Sequence, residues 1–495
     1  MAHGGAPLAL STMTSVADAL ERLAVTAESK PVARLSRAFA DAGHELALVG
    51  GPVRDAFLGR AAPDLDFTTD ASPDEILRVV KPISSAQWDI GRAFGTIGAR
   101  VAGETVEVTT YRADEYDPSS RKPEVVFGDS LEGDLGRRDF TINAMALRLP
   151  ERVLVDPTGG LDDLLAGRLR TAAEATTSFA DDPLRMMRAA RFVGALGFEI
   201  DESAKSAMIV LRERISIISA ERVRDELVKL LRSSTPRTGL QLLVDTGIAE
   251  LVLPELPAMK LTVDGEHRHK DVYEHSLTVL DQAIDLERSR SDGGAEPDVV
   301  VRLAALLHDI GKPATRRFEQ GGTVTFHHHD VVGAKLVRKR LRALRFDNET
   351  VDHVAHLIEL HQRFYGYTEG GWTDSAVRRY VRDAGDDLER LHILTRADVT
   401  TRNRRKATRL AAAYDDLEAR IEELQEQEEL AAVRPDLSGD QIMAALGIAA
   451  GPDVGAAYRF LLELRLDEGP LGEDAARERL LAWWQQRNDP SEPRG

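Results

Sequence analysis

Residues 48–55 read Leu-Val-Gly-Gly-Pro-Val-Arg-Asp, and residues 64–67 read Asp-Leu-Asp-Phe. The first run belongs to a short apolar strand, 45–49, broken by Gly50 and Gly51 before residues 53–58 resume with helical spacing. Glycines at such a turn let the backbone approach a ligand closely, and the N–H groups that open the helix favour a phosphate. Alone, the turn is equally a tight strand–helix connection. In the second run Asp64 and Asp66 stand two apart on a strand and share a face. Like charges so placed repel unless a cation sits between them. Magnesium ions held this way activate a 3′-hydroxyl and steady the departing pyrophosphate of a nucleoside triphosphate. Glu107, within the alternating β-branched run 105–110, offers a third carboxylate.

Outward from this core, residues from about 33 to 160 mix short strands with helices, and from 161 onward helical periodicity takes over. The expected divisions are an N-terminal helix or extension (1–32), an α/β head (33–160), a helical neck and body (161–260), a further helical domain (261–400) and a helical tail (401–495). A chain of 495 residues with 43% hydrophobic content accommodates several folded domains. The polar stretch Asp114–Asp129, with Pro118 and Pro123, reads as a loop, and 412–430 as a Glu-rich surface or pairing helix. Cysteine is absent, which excludes disulfides and thiolate zinc sites and leaves His, Asp and Glu as metal ligands. No apolar run reaches the length of a membrane span, and Met1–Thr12 lacks the basic start of a secretory signal, so a cytoplasmic protein is expected. The net charge of −18 opposes general nucleic-acid affinity. Basic residues nevertheless cluster: Arg185, Arg188 and Arg191; a run from Lys335 to Arg345; and Arg402, Arg404, Arg405 and Lys406.

Arg137-Arg138-Asp139-Phe-Thr-Ile-Asn143-Ala-Met-Ala146 sets guanidinium groups, a carboxylate and an amide together, groups suited to triphosphate and ribose. The succession of Gly-Gly turn, Asp-x-Asp strand and this motif closely resembles the class II tRNA nucleotidyltransferase/poly(A) polymerase family. The resemblance implies an α+β fold: a polymerase-β-like nucleotidyltransferase head of mixed sheet and helices, then all-α neck, body, HD and tail domains. It makes Asp64, Asp66 and Glu107 catalytic, with Mg²⁺ held by Asp64 and Asp66. Gly50, Gly51, Arg54, Arg137, Arg138, Asp139 and Asn143 become nucleotide-binding residues. Asp156–Gly160 resembles the hinge between head and neck. Asp181-Asp182-Pro-Leu-Arg185 resembles the family's Glu-Asp-x-x-Arg motif, with Asp in place of the leading Glu. By that match Asp182 and Arg185 read the edge of the incoming base, and Arg188 and Arg191 join them in binding nucleotide. A carboxylate accepting from the exocyclic amine shared by cytosine and adenine is sound chemistry for selecting CTP and ATP. Asp182 is also placed to cap the helix that Pro183 opens.

A second constellation follows. His275 lies on an apolar helix, His308-Asp309 ends another, and His329, His361 and Asp398 come later. Mixed His and Asp ligands suit a divalent transition metal with water as the reacting oxygen. The order resembles the HD metal-dependent phosphohydrolase superfamily, which implies that His275, His308, Asp309 and Asp398 bind one metal. His329 and His361, with His353 or His356, would complete a second site; His327, His328 and His329 are adjacent, and spacing does not say which points inward. The implied substrates are phosphomonoesters or phosphodiesters, such as a 2′,3′-cyclic phosphate end; a vestigial RNA-binding support is equally consistent. The resulting expectation is addition of C, C and A to the tRNA acceptor arm from CTP and ATP, with Asp114–Asp129 helping the switch from C to A. The alternatives are a poly(A) polymerase, and an HD phosphohydrolase or nucleotide sensor with a degenerate head.

Overall fold

The computed structural model describes residues 15–487 except 62–63, 90, 93–94, 113–127, 129, 261–270, 291–295, 320–323, 365–366, 368–371, 402 and 429–433. The stretch Asp114–Asp129 therefore lies almost wholly outside the described residues. The chain divides into two units, Met1–Pro257 with Ala343–Arg345, and Ala258–Arg342 with Phe346–Gly495.

In the first unit Leu46–Val49 (β1) is apolar throughout and buried along its whole length, as a central strand covered on both faces must be. Its neighbours are Leu65–Thr69 (β2) and, beyond that, Glu104–Thr110 (β5). Ser84–Trp88 (β3), Thr96–Val101 (β4), Ala146–Leu149 (β6) and Val153–Val155 (β7) complete a seven-stranded sheet of order β3-β4-β5-β2-β1-β6-β7. β2 and β5 run parallel, and their register sets Asp66 directly opposite Glu107. Each other neighbouring pair is antiparallel. The helix Gly51–Phe57 leaves the end of β1 through Gly50, whose φ of 71° is open to glycine alone. A Cβ there would also stand 3.3 Å from Arg138 Nη1.

Beyond the sheet the first unit is mainly helical, with a short parallel pair of strands, Arg168–Leu169 and Glu199–Ile200. The helix Leu184–Leu196 buries Met186, Met187, Ala189, Ala190 and Val193 and packs against Ala220–Leu231 and Pro236–Asp245. In the second unit Val299–Leu307 forms a helix buried along nearly all its length, packed against Val272–Arg290, Asn348–Leu360 and Leu388–Ala397. Helix Arg404–Glu428 buries Leu410, Tyr414, Leu417, Ile421 and Leu424, the alternating four- and three-residue spacing of an amphipathic stripe. Helices Gly439–Leu446, Pro452–Glu468 and Glu473–Arg487 share a small core of Leu437, Ile442, Ala457, Leu461 and Leu480. The architecture is thus the α+β one expected: a mixed-sheet head followed by helical domains. No helix among the described residues is long and apolar enough to cross a membrane.

Gly50→Ala forces a side chain into a backbone conformation reserved for glycine. Urea unfolding should show a loss of roughly 1–3 kcal/mol, whereas an unchanged midpoint would contradict the strained turn described here.

Candidate functional site

The β1–helix turn, the first residues of β2 and the start of helix Leu184–Leu196 converge on one cavity of about 300 Å³ in the first unit. Gly50, Gly51 and Arg54 line it from the turn, and Asp66 from β2. Arg138, Asp139 and Asn143 line another side, and Asp182, Arg185, Arg188 and Phe192 the last. The catalytic carboxylate and the base-reading pair expected from sequence therefore share a single space. Burial, Glu107 and Asp64 together push the Asp66 carboxyl up to about 6 against the opposing pull of Arg138. Crowding of this kind is what a cation relieves, and carboxylate oxygens suit a divalent ion, but Asp64 and Glu107 are exposed and the three acids do not draw together into one ligand group in this structure.

Side chains around the cavity are held in place from behind. Asp139 Oδ1 accepts from the Phe140 amide (2.8 Å) and from Asn143 Nδ2 (3.0 Å), while Oδ2 accepts from Arg188 Nε (2.8 Å). Asn143 Oδ1 in turn accepts from Arg54 Nη1 (2.7 Å). Arg185 donates through Nη1 to Ser178 Oγ (2.9 Å) and through Nη2 to the Arg137 carbonyl (2.8 Å). Asp182 Oδ1 accepts from the Leu184 amide (3.1 Å), so it does cap the helix, and Oδ2 lies 3.6 Å from Arg222 Nη2.

Four residues named from sequence do not line this cavity. Asp64 is exposed at the start of β2, and Glu107 flanks Asp66 across the strand pair. Arg137 turns its guanidinium to the fully buried Asp134 (2.8 Å), a partner it shares with Arg138 (3.1 Å), and meets the site only through its carbonyl. Arg191 turns to Glu226 (2.6 Å) and lies 4.0 Å from the Phe192 ring centre. The three-residue spacing of 185, 188 and 191 drifts around the helix, and the face toward the cavity is 185, 188 and 192. Phe192 and Ser178 were missed by the sequence reading. Phe192 was detectable from its position seven after Arg185, whereas Ser178 carries no sequence signal.

In the second unit the expected metal ligands converge as two groups: His275, His308 and Asp398, and Asp309, His329 and His361. Asp309 was expected with the first group. Its Oδ2 does lie 3.2 Å from His308 Nε2, but its Oδ1 is turned toward His329 Nε2 (3.3 Å), so it stands between the two. Each imidazole is oriented from behind through Nδ1. His308, His329 and His361 meet the carbonyls of Ala305 (3.0 Å), Phe326 (2.8 Å) and Ile358 (2.6 Å), and His275 meets Thr400 Oγ1 (3.1 Å). That leaves the Nε2 atoms directed inward, with those of His275 and His308 only 3.2 Å apart. Burial, together with His308, holds His361 at about 4, in the neutral form that ligates. The buried Asp309 Oδ1 faces His329 Nε2 without a hydrogen bond between them, as two groups placed to ligate one divalent cation would. His327 and His328 are exposed and His329 is buried, which settles the choice among them. His353 and His356 instead meet Asp387 through Nδ1, at 2.8 and 3.0 Å, and belong to neither group. Gly311 permits this packing, since a Cβ there would lie 2.1 Å from the His329 carbonyl oxygen.

Three family models match the chain: the poly A polymerase head domain over residues 46–170, the probable RNA- and SrmB-binding site of polymerase A over 197–259, and the HD domain over 272–403. The A-adding tRNA nucleotidyltransferase of Deinococcus radiodurans is 35% identical over 429 residues, 85% of this chain and 91% of that protein. The CC-adding tRNA nucleotidyltransferase of Thermus thermophilus is 31% identical over 444 residues, 88% of this chain and 93% of that protein. The CCA-adding enzyme of Bacillus subtilis is 40% identical over 222 residues, 45% of this chain and 54% of that enzyme. The crystal structure of the Bacillus stearothermophilus CCA-adding enzyme with CTP is similar in fold at 23% identity, with a TM-score of 0.63 over 92% of this chain and 96% of that one.

Folding raises the Asp66 carboxyl from 3.8 to about 6, so its charge costs stability once the pH climbs through that window. In buffer free of divalent cations Asp66→Asn should be the more stable protein at pH 8, by on the order of 2 kcal/mol. The gap should close below pH 4; a gap independent of pH would refute the crowding. For the second unit, metal analysis after desalting should find bound transition metal in the wild type and in His353→Ala, and none in His308→Ala. Loss in His353→Ala would reassign the ligands.

Proposed function

The chain belongs to the class II tRNA nucleotidyltransferase family, and we propose that it is a CCA-adding enzyme. On this reading it extends the tRNA acceptor arm with C, C and A from CTP and ATP, without a nucleic-acid template. The observation that carries it is the single cavity lined by both Asp66 and the pair Asp182 and Arg185.

Asp64 and Asp66, with Glu107 beside them, would hold magnesium, which when bound would neutralise charge at the attacking 3′-hydroxyl and the departing pyrophosphate. The chain's own residues do the rest. Gly50 and Gly51 let the backbone come close to the triphosphate at a helix start, with Arg54 and Arg138 beside it. Asp182 has one oxygen occupied by its cap, while the other, 3.6 Å from Arg222 Nη2, has lone-pair capacity left to accept from the exocyclic amine of cytosine or adenine. Arg185 is fixed by Ser178 and the Arg137 carbonyl, and its remaining N–H groups donate to ring or carbonyl acceptors. Guanine and uracil lack an amine at that position. Asp139 and Asn143 are engaged with Arg188 and Arg54, so their part is to hold those cations at the nucleotide. The histidine–aspartate groups of the second unit form a second, metal-dependent phosphohydrolase site on this reading. A cytoplasmic location, where tRNA and nucleoside triphosphates are both available, is part of this reading.

One observation favours a narrower reading. The D. radiodurans and T. thermophilus relatives, which align over nearly their whole length, are named for A addition and for CC addition. The B. subtilis CCA-adding enzyme aligns over about half of its own. tRNA lacking its last three nucleotides, incubated with CTP and ATP singly and together, separates the cases. Two C followed by one A from this chain alone is the expected product. Addition of only the C pair, or only A onto a tRNA already ending in CC, would establish the narrower reading. Long A tracts from ATP alone would mean poly(A) synthesis, and no incorporation a degenerate head. Asp66→Ala should abolish incorporation, whereas Arg185→Ala should retain some while admitting wrong bases.

A further inference from the structure

Of the basic run that begins at Arg402, the described residues Arg404, Arg405 and Lys406 do not line the nucleotidyl-transfer cavity. Two of its neighbourhood, Lys406 and Arg409, stand three positions apart on helix Arg404–Glu428 and so share a face. Both are exposed, and both line a cavity of about 510 Å³ whose other side is formed by His275, Asp309, His361 and Asp398. Neither side chain has an ion-pair or hydrogen-bond partner among the described residues. Nearby arginines do: Arg396 meets Asp415 and Glu418 at 2.9 Å each, Arg290 meets Glu418 at 2.7 Å, and Arg420 meets Asp374. Lys312 also lines the cavity, but it is 2.6 Å from Asp309 and its charge is already matched. In a chain with 82 acidic and 64 basic residues, cations left unmatched beside a cluster of metal-ligand type mark a place for an anion.

We propose that Lys406 and Arg409 form the phosphate-reading wall of this cavity, and that its substrates are terminal phosphate monoesters rather than internal phosphodiesters. The inference rests on the reading of the histidine–aspartate groups as a phosphohydrolase site. A monoester near neutral pH carries almost two negative charges and an internal diester only one, so a pair of unmatched cations favours the monoester. Hydrolysis breaks the ester P–O bond as a water oxygen bonds to phosphorus. One water proton passes to the departing oxygen to give the alcohol, and the other stays on the inorganic phosphate.

The test uses the full-length protein loaded with manganese, p-nitrophenyl phosphate and bis(p-nitrophenyl) phosphate as substrates, and calorimetric titration with inorganic phosphate. The monoester should be preferred by about tenfold or more in kcat/KM. Lys406→Gln/Arg409→Gln should weaken phosphate binding and raise the monoester KM about 10- to 100-fold, with diester turnover much less affected. Its melting temperature should not move, because the two side chains are exposed and unmatched. Arg404→Gln/Arg405→Gln alters exposed charges of the same run that do not line the cavity, and should leave both readouts at wild-type levels. Equal effects from the two double variants, or a preference for the diester, would overturn the proposal. If the wild type cleaves neither ester yet loses phosphate binding with Lys406 and Arg409, the hydrolase reading fails and the anion wall stands. If it cleaves the monoester while the double variant binds phosphate normally, the wall fails and the hydrolase reading stands.

Discussion

Asp139 lies buried where the head sheet meets helix Leu184–Leu196, and its two oxygens carry the join between them. Burial alone would raise this carboxyl, but Arg188 and Asn143 hold it well below the ordinary carboxylate range, so it is charged at any physiological pH. From it a continuous chain of donors and acceptors runs from Arg188 through Asn143 to Arg54 in the helix that follows the Gly50–Gly51 turn. Phe192 lies beneath, 5.5 Å from Phe140, with the guanidinium groups of Arg54 and Arg191 over its ring. Removing one partner of such a pair strands the other charge in a dry setting, a loss of about 3–5 kcal/mol. The distance between the Gly50–Gly51 turn and the start of helix Leu184–Leu196 is therefore set by one carboxylate.

The parts of the head that were legible in sequence are those where local pattern and tertiary place coincide. β1, β2 and β5 announced themselves by apolar or alternating β-branched runs, and they prove to be adjacent strands at the centre of the sheet. β3 reads Ser-Ser-Ala-Gln-Trp and lies at one edge, half-exposed, where burial imposes no pattern; β7, three residues long, lies at the other. β6 was hidden by the motif that precedes it. The parallel pairing that brings Glu107 opposite Asp66 rests on the long crossover 70–103 between β2 and β5, and no local rule reports it.

Site residues divide in the same way. Asp66, Asp182 and Arg185 were placed by motif and meet in one cavity, because a strand start and a helix start each fix side-chain direction within a residue or two. Arg137 and Arg191 carry the right chemistry and face elsewhere, since Asp134 and Glu226 were available to them, and buried acids claim the nearest guanidinium. The second unit teaches the complementary lesson. Three adjacent histidines could not be ranked by spacing, yet only His329 is buried, with its Nδ1 tied to the Phe326 carbonyl. His353 and His356 were plausible ligands until Asp387, distant in sequence, was seen to engage both. A ligand set depends on what holds the far side of each ring, and those partners, three backbone carbonyls and the distant Thr400 hydroxyl, are not marked in the sequence.

The same economy resolves the conflict between a net charge of −18 and a nucleic-acid substrate. Much of the acidic surplus lies on exposed faces such as Glu422, Glu423 and Glu426 of the long second-unit helix. Within the first unit, buried carboxylates are matched by arginines: Asp134 by Arg137 and Arg138, Asp163 by Arg168 and Arg170, Glu226 by Arg191. What the cavity presents is a local balance, with Arg54, Arg138, Arg185 and Arg188 set against Asp66, Asp139 and Asp182. Exposed charges more than a Debye length away are screened, while those lining a partly enclosed cavity are not. Selectivity for an anionic substrate is thus governed by the few charges that line the cavity, and the sum over the chain is a poor guide to it.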